Sequence, residues 1–169
     1  CAALALAVFQ ITGAAAPWRE LRWASSDGGE LTAVLGRVAE GGRVLVLSPY
    51  IDPIAQALAY VEARSTLPTM TIWPLQGAYA AACAARGGRY REAAEMTPGE
   101  RLVWQRVAQE FAALPPAVVL VALNPPIPNC GRGFDLIEYF ARHPLFAATF
   151  RRYRPGPRVA GHQVYTRVP

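Results

Sequence analysis

The chain has 169 residues, which suits one domain with a substantial core. Its hydrophobic fraction of 53% and its charged fraction of only 17% are apolar for a free-standing soluble domain, so we expect part of the surface to be covered. The net charge is +5, and all 17 basic residues are arginine. These arginines are dispersed along the sequence, whereas a nucleic-acid-binding protein clusters them, and a nucleic-acid partner is therefore disfavoured.

Residues 1–16 form an uncharged apolar stretch that begins with Cys1. The stretch is shorter than the roughly 20 residues that a helix needs to cross a bilayer. We interpret it as the truncated end of a transmembrane helix. The next segment, 17–26, is then a linker leaving the membrane, because its tryptophans favour the interface and its arginines can reach the headgroups. A signal-peptide remnant and a buried core helix remain as alternatives.

The remaining residues, 27–169, are predicted to form a soluble α/β domain. Apolar residues recur at helical spacing from Leu31 to Val38, and the continuous apolar run 44–47 is typical of a strand buried on both faces. In the next helix, Asp52 is expected to be the N-cap before a proline at the first helical position. Residues 69–73 alternate like a second strand, which would complete a βαβ unit.

The second half of the domain has one clear helix signal and one clear strand signal. Thr97 and Glu100 have the spacing of a capping box and predict an amphipathic helix to Leu114. The apolar run 117–123 predicts the second central strand. Further on, Asp135 is expected to cap a helix that ends before Pro144, with another short helical turn after it. Pro155-Gly156-Pro157 is then read as a turn, and 161–168 as a closing edge strand.

These elements together predict a small three-layer, Rossmann-like α/β fold. Its sheet is expected to be mostly parallel, with a C-terminal antiparallel edge strand. The end of a transmembrane helix is expected to precede it.

Polar residues follow both predicted central strands, where open α/β sheets bind ligands. These residues are Ser48, Tyr50 and Asp52 after the first strand, and Asn124 and Asn129 after the second. They predict a small cleft for a sugar or a phosphate. The alternative is structural: Asp52 caps a helix, and the asparagines hold proline turns.

Few other residues indicate chemistry. Two prolines near Ser48 remove backbone donors that a phosphate loop needs, so a nucleotide-binding Rossmann enzyme is disfavoured. The sequence has no nucleophile triad and no metal-spaced cluster, and we predict no catalytic residue, cofactor or metal. His143 and His162 are expected to be structural. Cys83 and Cys130 could form a disulfide in an oxidising compartment, or remain two buried thiols.

The last part of the chain resembles the carboxyl-terminal tail of bacterial multi-pass glycosyltransferases of the GT-C type. The resemblance is carried by Phe134-Asp135-Leu136-Ile137-Glu138-Tyr139-Phe140, Pro144-Leu145-Phe146, Tyr153 and Gln163-Val164-Tyr165-Thr166-Arg167. Such enzymes, of the mannosyltransferase and aminoarabinose-transferase type, use polyprenyl-phosphate sugars. In them a compact extracytoplasmic α/β domain follows the final transmembrane helix. The family's catalytic acidic residue lies in an early loop between membrane helices and has no counterpart here.

The resemblance implies a non-catalytic periplasmic domain of a glycosyltransferase in the bacterial inner membrane. Its implied partners are the membrane, the remainder of the multi-pass protein and a lipid-linked sugar. Two other functions remain open. One is a free-standing exported α/β binding domain, and the other is a small soluble enzyme that uses the Asp52 cleft.

Overall fold

The computed structural model describes most of the chain, in the ranges 22–79, 90–125, 127 and 134–168. The predicted transmembrane end at 1–16 lies outside these residues. Within the described ranges, every helix is too short or too polar to cross a bilayer.

The centre of the domain is one five-stranded sheet. Its strands are β1 (Arg43–Leu47), β2 (Arg64–Ser65), β3 (Val118–Ala122), β4 (Tyr153–Val159) and β5 (His162–Arg167). Across the sheet the order is β2-β1-β3-β5-β4. β1 is parallel to β2 and β3, whereas β5 is antiparallel to both β3 and β4. The prediction of a mixed α/β sheet with a parallel centre is therefore confirmed.

Six α-helices accompany the sheet in the described ranges. They are α1 (Asp27–Val38), α2 (Ile54–Tyr60), α3 (Pro74–Tyr79), α4 (Pro98–Ala113), α5 (Leu136–Ala141) and α6 (Pro144–Phe150). α1 and α2 pack on one face, where Val44 and Val46 are buried. The other four pack on the opposite face, where Leu45 and Leu47 are buried. Helices on both faces explain why the central strands are continuous apolar runs.

Helix starts follow the local sequence closely. The side chains of Ser26, Thr97 and Asp135 each accept a hydrogen bond from the backbone N–H three residues later. These caps satisfy N–H groups that have no partner inside the helix. The predicted helices after these three positions are confirmed, and so is the short helix after Pro144.

The predicted strand at 69–73 is wrong. These residues form a turn in which Met70 has a positive φ of 61°. The strand that completes the βαβ unit is β2, which comes earlier and pairs with β1 through Arg64 and Ser65. The alternation misled because Ile72 is buried where the turn returns to β1, its N–H donating to the Ser48 carbonyl at 3.0 Å.

The closing strand is also placed differently from the prediction. β5 pairs on both sides, and β4 is the edge strand. The segment Pro155-Gly156-Pro157, predicted to be a turn, lies inside β4 next to an irregularity in the pairing. Proline lacks the N–H that an interior strand needs, so its position in an edge strand is physically consistent.

Candidate functional site

The candidate site lies at the carboxyl ends of β1 and β3. After β1 the chain passes to β2 on one side, and after β3 it continues to β4 and β5 on the other. Such a switch point is where open α/β sheets form ligand crevices. Ser48 follows β1 directly, and Asn124 lies two residues after β3, so two of the predicted residues flank this point.

Ser48 is turned inward at this position. Its side chain is fully buried, and its hydroxyl oxygen accepts a hydrogen bond from the Tyr50 N–H at 3.2 Å. The same oxygen lies 3.4 Å from Nε2 of His162, a residue 114 positions away in the chain. The Tyr50 backbone therefore contacts the Ser48 hydroxyl, and the Ser48 side chain faces the interior.

His162 completes this buried contact from the start of β5. It pairs with Ala122 in β3, and Nδ1 lies 2.6 Å from the carbonyl oxygen of Ala160. We assign the Nδ1 proton to that hydrogen bond, which leaves Nε2 to accept from the Ser48 hydroxyl. Burial lowers the pKa of His162 and favours the neutral ring that this assignment needs.

A serine paired with a histidine is also the arrangement of a nucleophile and its base. Here, however, Ser48 is 0% exposed and His162 only 6% exposed. The group that orients the ring is a backbone carbonyl, in the position where a catalytic triad has a carboxylate. The geometry therefore links the loop after β1 to the start of β5, and it does not present a nucleophile to a substrate.

Asp52 does not have the predicted role of helix cap. The residue before α2 is Pro53, which has no side chain able to cap the helix. Asp52 is exposed one residue earlier, and its Oδ1 accepts from Gln56 Nε2 at 2.9 Å. Asn124 is exposed at the end of β3, and Asn129 lies outside the described residues. Among the described residues, Ser48 is therefore buried, whereas Tyr50, Asp52 and Asn124 are exposed after the ends of β1 and β3.

A cavity of about 440 Å³ opens between the end of β3, the start of β5 and α5. Leu123 and Ile137 contribute apolar walls, and Asp135 and Tyr165 contribute polar ones. Burial and the nearby Asp135 carboxylate raise the pKa of Tyr165, so its phenol stays protonated. A cavity of this kind can accept a small ligand with hydroxyl groups. No local sequence pattern predicted this cavity, because its walls come from segments that are distant in the chain.

A second buried polar cluster surrounds Glu100 on α4. This fully buried carboxylate lies 2.6 Å from Arg91 Nη1 and accepts from the Tyr139 hydroxyl at 3.1 Å. Arg91 also donates to the Ala78 carbonyl at 3.0 Å. The side chain of Glu100 was predicted to complete the capping box of Thr97, but it turns inward and Thr97 caps the helix alone. These contacts join α4 to Arg91 and to Tyr139 on α5, and the loss of one partner would leave a buried charge unpaired.

Four apolar side chains are exposed around the carboxyl ends of the strands. They are Tyr50, Ile51, Trp73 and Leu123, with exposures from 39% to 55%. The hydrogen bond from Ile72 to Ser48 holds Trp73 beside β1, and the Leu123 N–H donates to the Gly161 carbonyl at 3.0 Å. We call this set of four residues the apolar edge.

Comparison with known proteins gave no match to a protein-family model, a curated protein or a solved structure. Across the described ranges, no group of three or more histidine, cysteine, aspartate or glutamate side chains could hold a metal. Cys83 and Cys130 both lie outside those ranges, so their pairing stays a prediction. The functional argument therefore depends on the residues themselves.

Proposed function

We propose that this chain is the non-catalytic C-terminal periplasmic domain of an integral membrane glycosyltransferase. The parent enzyme transfers a sugar from a polyprenyl-phosphate donor in the bacterial inner membrane. The proposal starts from the resemblance of the tail that begins at Phe134. In it, residues 1–16 are the last turns of a transmembrane helix, and the sheet is a small Rossmann-like unit without a phosphate loop.

One observation carries the accessory role. At the carboxyl ends of β1 and β3, the polar side chains of Ser48 and His162 are buried against each other, while the apolar edge is exposed. An active site requires reacting groups that meet the substrate, and an exposed apolar patch is typical of a contact surface. The apolar edge therefore supports contact with the remainder of the multi-pass protein, which shapes the acceptor site.

The first test is to read the gene upstream of Cys1. We expect several hydrophobic spans, with an acidic residue in the first outer loop. A short signal sequence in their place would favour the free-standing binding domain and contradict the membrane-enzyme assignment.

The second test measures sugar transfer by the full-length parent in membranes. The variant Ile51→Ser/Trp73→Ser removes half of the apolar edge. Its matched control, Leu102→Ser/Leu145→Ser, changes two apolar residues of similar exposure on α4 and α6. We expect the first variant to lose most of the transfer activity and the control to keep it. Equal activity of the two variants would contradict a contact role for this edge.

A further inference from the structure

Arginines that are dispersed in the sequence converge at the amino edge of the sheet. Arg43 of β1 pairs with Arg64 of β2. The Ala117 N–H donates to the Arg43 carbonyl, and the Arg167 N–H donates to the Ala117 carbonyl. Arg167 in turn pairs with Tyr153 of β4. Residues from all parts of the chain thus form one row across the sheet, with an arginine on three of its five positions.

A fourth arginine, Arg152, precedes β4 and accepts a backbone hydrogen bond from Val168 at 2.7 Å. We call Arg43, Arg64, Arg152 and Arg167 the arginine rim. With strands about 4.8 Å apart, the row spans about 19 Å. All four side chains are exposed, and in the described part of the chain none of them forms an ion pair.

The turns beside the rim contain two acidic residues, Glu40 and Glu62. Because two carboxylates accompany four guanidinium groups, this end of the sheet keeps an excess of positive charge. Two aliphatic residues are exposed at the same edge: Leu114 at 47% and Val168 at 43%. Leu114 lies next to Pro115, whose carbonyl accepts from Arg167 Nη1 at 2.9 Å, and Val168 follows Arg167 directly. The rim therefore combines arginine with aliphatic side chains.

We propose that the arginine rim binds the surface of a bilayer that contains anionic phospholipids. The planar guanidinium group binds phosphate through paired N–H donors and is weakly hydrated, so it suits a headgroup layer. Exposed aliphatic side chains between the arginines can enter the boundary with the acyl chains. The inference rests on the proposed function for the presence of a bilayer beside the domain.

A nucleic acid is the other polyanion that arginines could bind. Proteins that bind single strands present aromatic faces on which bases stack. At the rim the aromatic residue in the row is Tyr153, which is buried and donates its hydroxyl to the Pro116 carbonyl at 2.6 Å. The apolar side chains exposed there, Leu114 and Val168, are aliphatic, and this favours the bilayer.

The two edges of the sheet are compatible with one placement. They lie at opposite ends of the strands, because the rim is at the start of β1 and the apolar edge is beyond its end. A domain that contacts a helical bundle with the apolar edge then extends outward over the surrounding lipid with the arginine rim.

The experiment is flotation of the full 169-residue chain with lipid vesicles. One set contains phosphatidylcholine alone, and the other contains added phosphatidylglycerol. The rim variant is Arg43→Gln/Arg64→Gln/Arg152→Gln. The control, Arg101→Gln/Arg106→Gln/Arg158→Gln, changes three exposed arginines elsewhere, and both variants lower the net charge from +5 by three, to +2. Thermal unfolding of each variant checks that the fold is kept.

We expect phosphatidylglycerol to increase vesicle binding of the unchanged chain in a salt-sensitive way. In the rim variant this increase in binding should be at least about tenfold smaller than in the unchanged chain. In the control variant the increase should be reduced far less. The apolar segment 1–16 contributes equally to all three proteins, so it cancels from the comparison. Binding to phosphatidylcholine alone should be the same for each.

Three results would overturn the rim as a lipid surface. They are no gain with phosphatidylglycerol, equal losses in the two variants, and a rim-dependent binding of single-stranded RNA that exceeds binding to vesicles.

The upstream gene sequence separates this inference from the proposed function. If the gene encodes hydrophobic spans but the rim variant floats like the unchanged chain, lipid binding by the rim is rejected and the proposed function is kept. If the rim variant loses vesicle binding but the gene encodes no such spans, the proposed membrane enzyme is rejected and lipid binding by the rim is kept.

Discussion

The two ends of the central strands differ in how their polar groups are used. At the carboxyl ends, Ser48 and His162 bond each other inside the domain, and the apolar edge is exposed beside Asp52 and Asn124. At the amino ends, the arginine rim is exposed, and its guanidinium groups have no carboxylate partner within the described ranges. A polar residue at a strand end is therefore not by itself a sign of a site. What matters is whether its hydrogen-bonding capacity is already used by the protein.

Arg91→Met should have the largest effect on stability, because it tests whether the interior beside the carboxyl ends depends on paired polar groups. It would leave the fully buried Glu100 carboxylate without its 2.6 Å partner. Removing one partner of a buried pair typically costs about 3–5 kcal/mol. Urea unfolding measures the change.

The matched control for this variant is Arg106→Met. It breaks an exposed pair with Glu110 on the same helix as Glu100. Such a pair contributes only about 0.3–0.5 kcal/mol. If the two variants lost similar stability, the buried cluster would not support the fold in the way its geometry indicates.

Ser48→Ala should have the next largest effect. It removes the hydroxyl that donates to His162 Nε2 and that accepts from the Tyr50 N–H. Leaving a buried polar atom without a partner costs about 1–3 kcal/mol. The measurement is again urea unfolding, and the control is Ser25→Ala, at an exposed hydroxyl that donates to the nearby Arg22 carbonyl. A change below that of the control would mean that the serine–histidine contact contributes nothing.

The pH dependence of stability should isolate the histidine side of the same contact. Burial lowers the pKa of folded His162 below its usual 6.5, so the unfolded chain binds more protons as pH falls. The contribution of His162 is therefore fully present above about pH 6.5 and is lost as pH falls from there towards the lower folded pKa. His162→Gln should flatten the stability profile in that window.

His143→Gln is the control for the pH profile. Burial also lowers the pKa of His143, but this side chain is only partly buried at the start of α6, where its Nδ1 accepts from the Leu145 N–H. We expect it to change the profile less than His162→Gln does. The reverse order would show that His162 is not the residue that senses pH near the carboxyl ends.

The sequence predicted features that depend on neighbouring residues, and it missed those that depend on register. The caps at Thr97 and Asp135 and the buried run of β3 are local, so spacing and composition were sufficient. The prediction of a strand at 69–73 failed because the alternation there arises from packing against β1, and no local pattern reveals that packing. The prediction that the closing strand lies at the edge failed because β4 pairs outside β5. That pairing depends on the order of strands across the sheet.

The same distinction applies to the candidate site and the rim. Ser48 was predicted near the cleft because it follows a strand, but its partner His162 is 114 residues away. Similarly, the arginines looked dispersed because Arg43, Arg64, Arg152 and Arg167 belong to four different strands or strand ends. Only the sheet order brings Arg43, Arg64 and Arg167 into one row and places Arg152 next to it.

Asp52→Ala should have the smallest effect, and this sharpens the difference between the two edges. Asp52 is exposed and bonds only the side chain of Gln56 in the described structure, so its loss should change the free energy of unfolding by less than about 0.5 kcal/mol. Sugar transfer by the proposed parent enzyme should also be unchanged. Loss of transfer by a variant that remains as stable as the unchanged chain would make Asp52 a reacting or binding group. The carboxyl ends of the strands would then form a catalytic cleft. The arginine rim would be the only one of the two surfaces left with a proposed contact role.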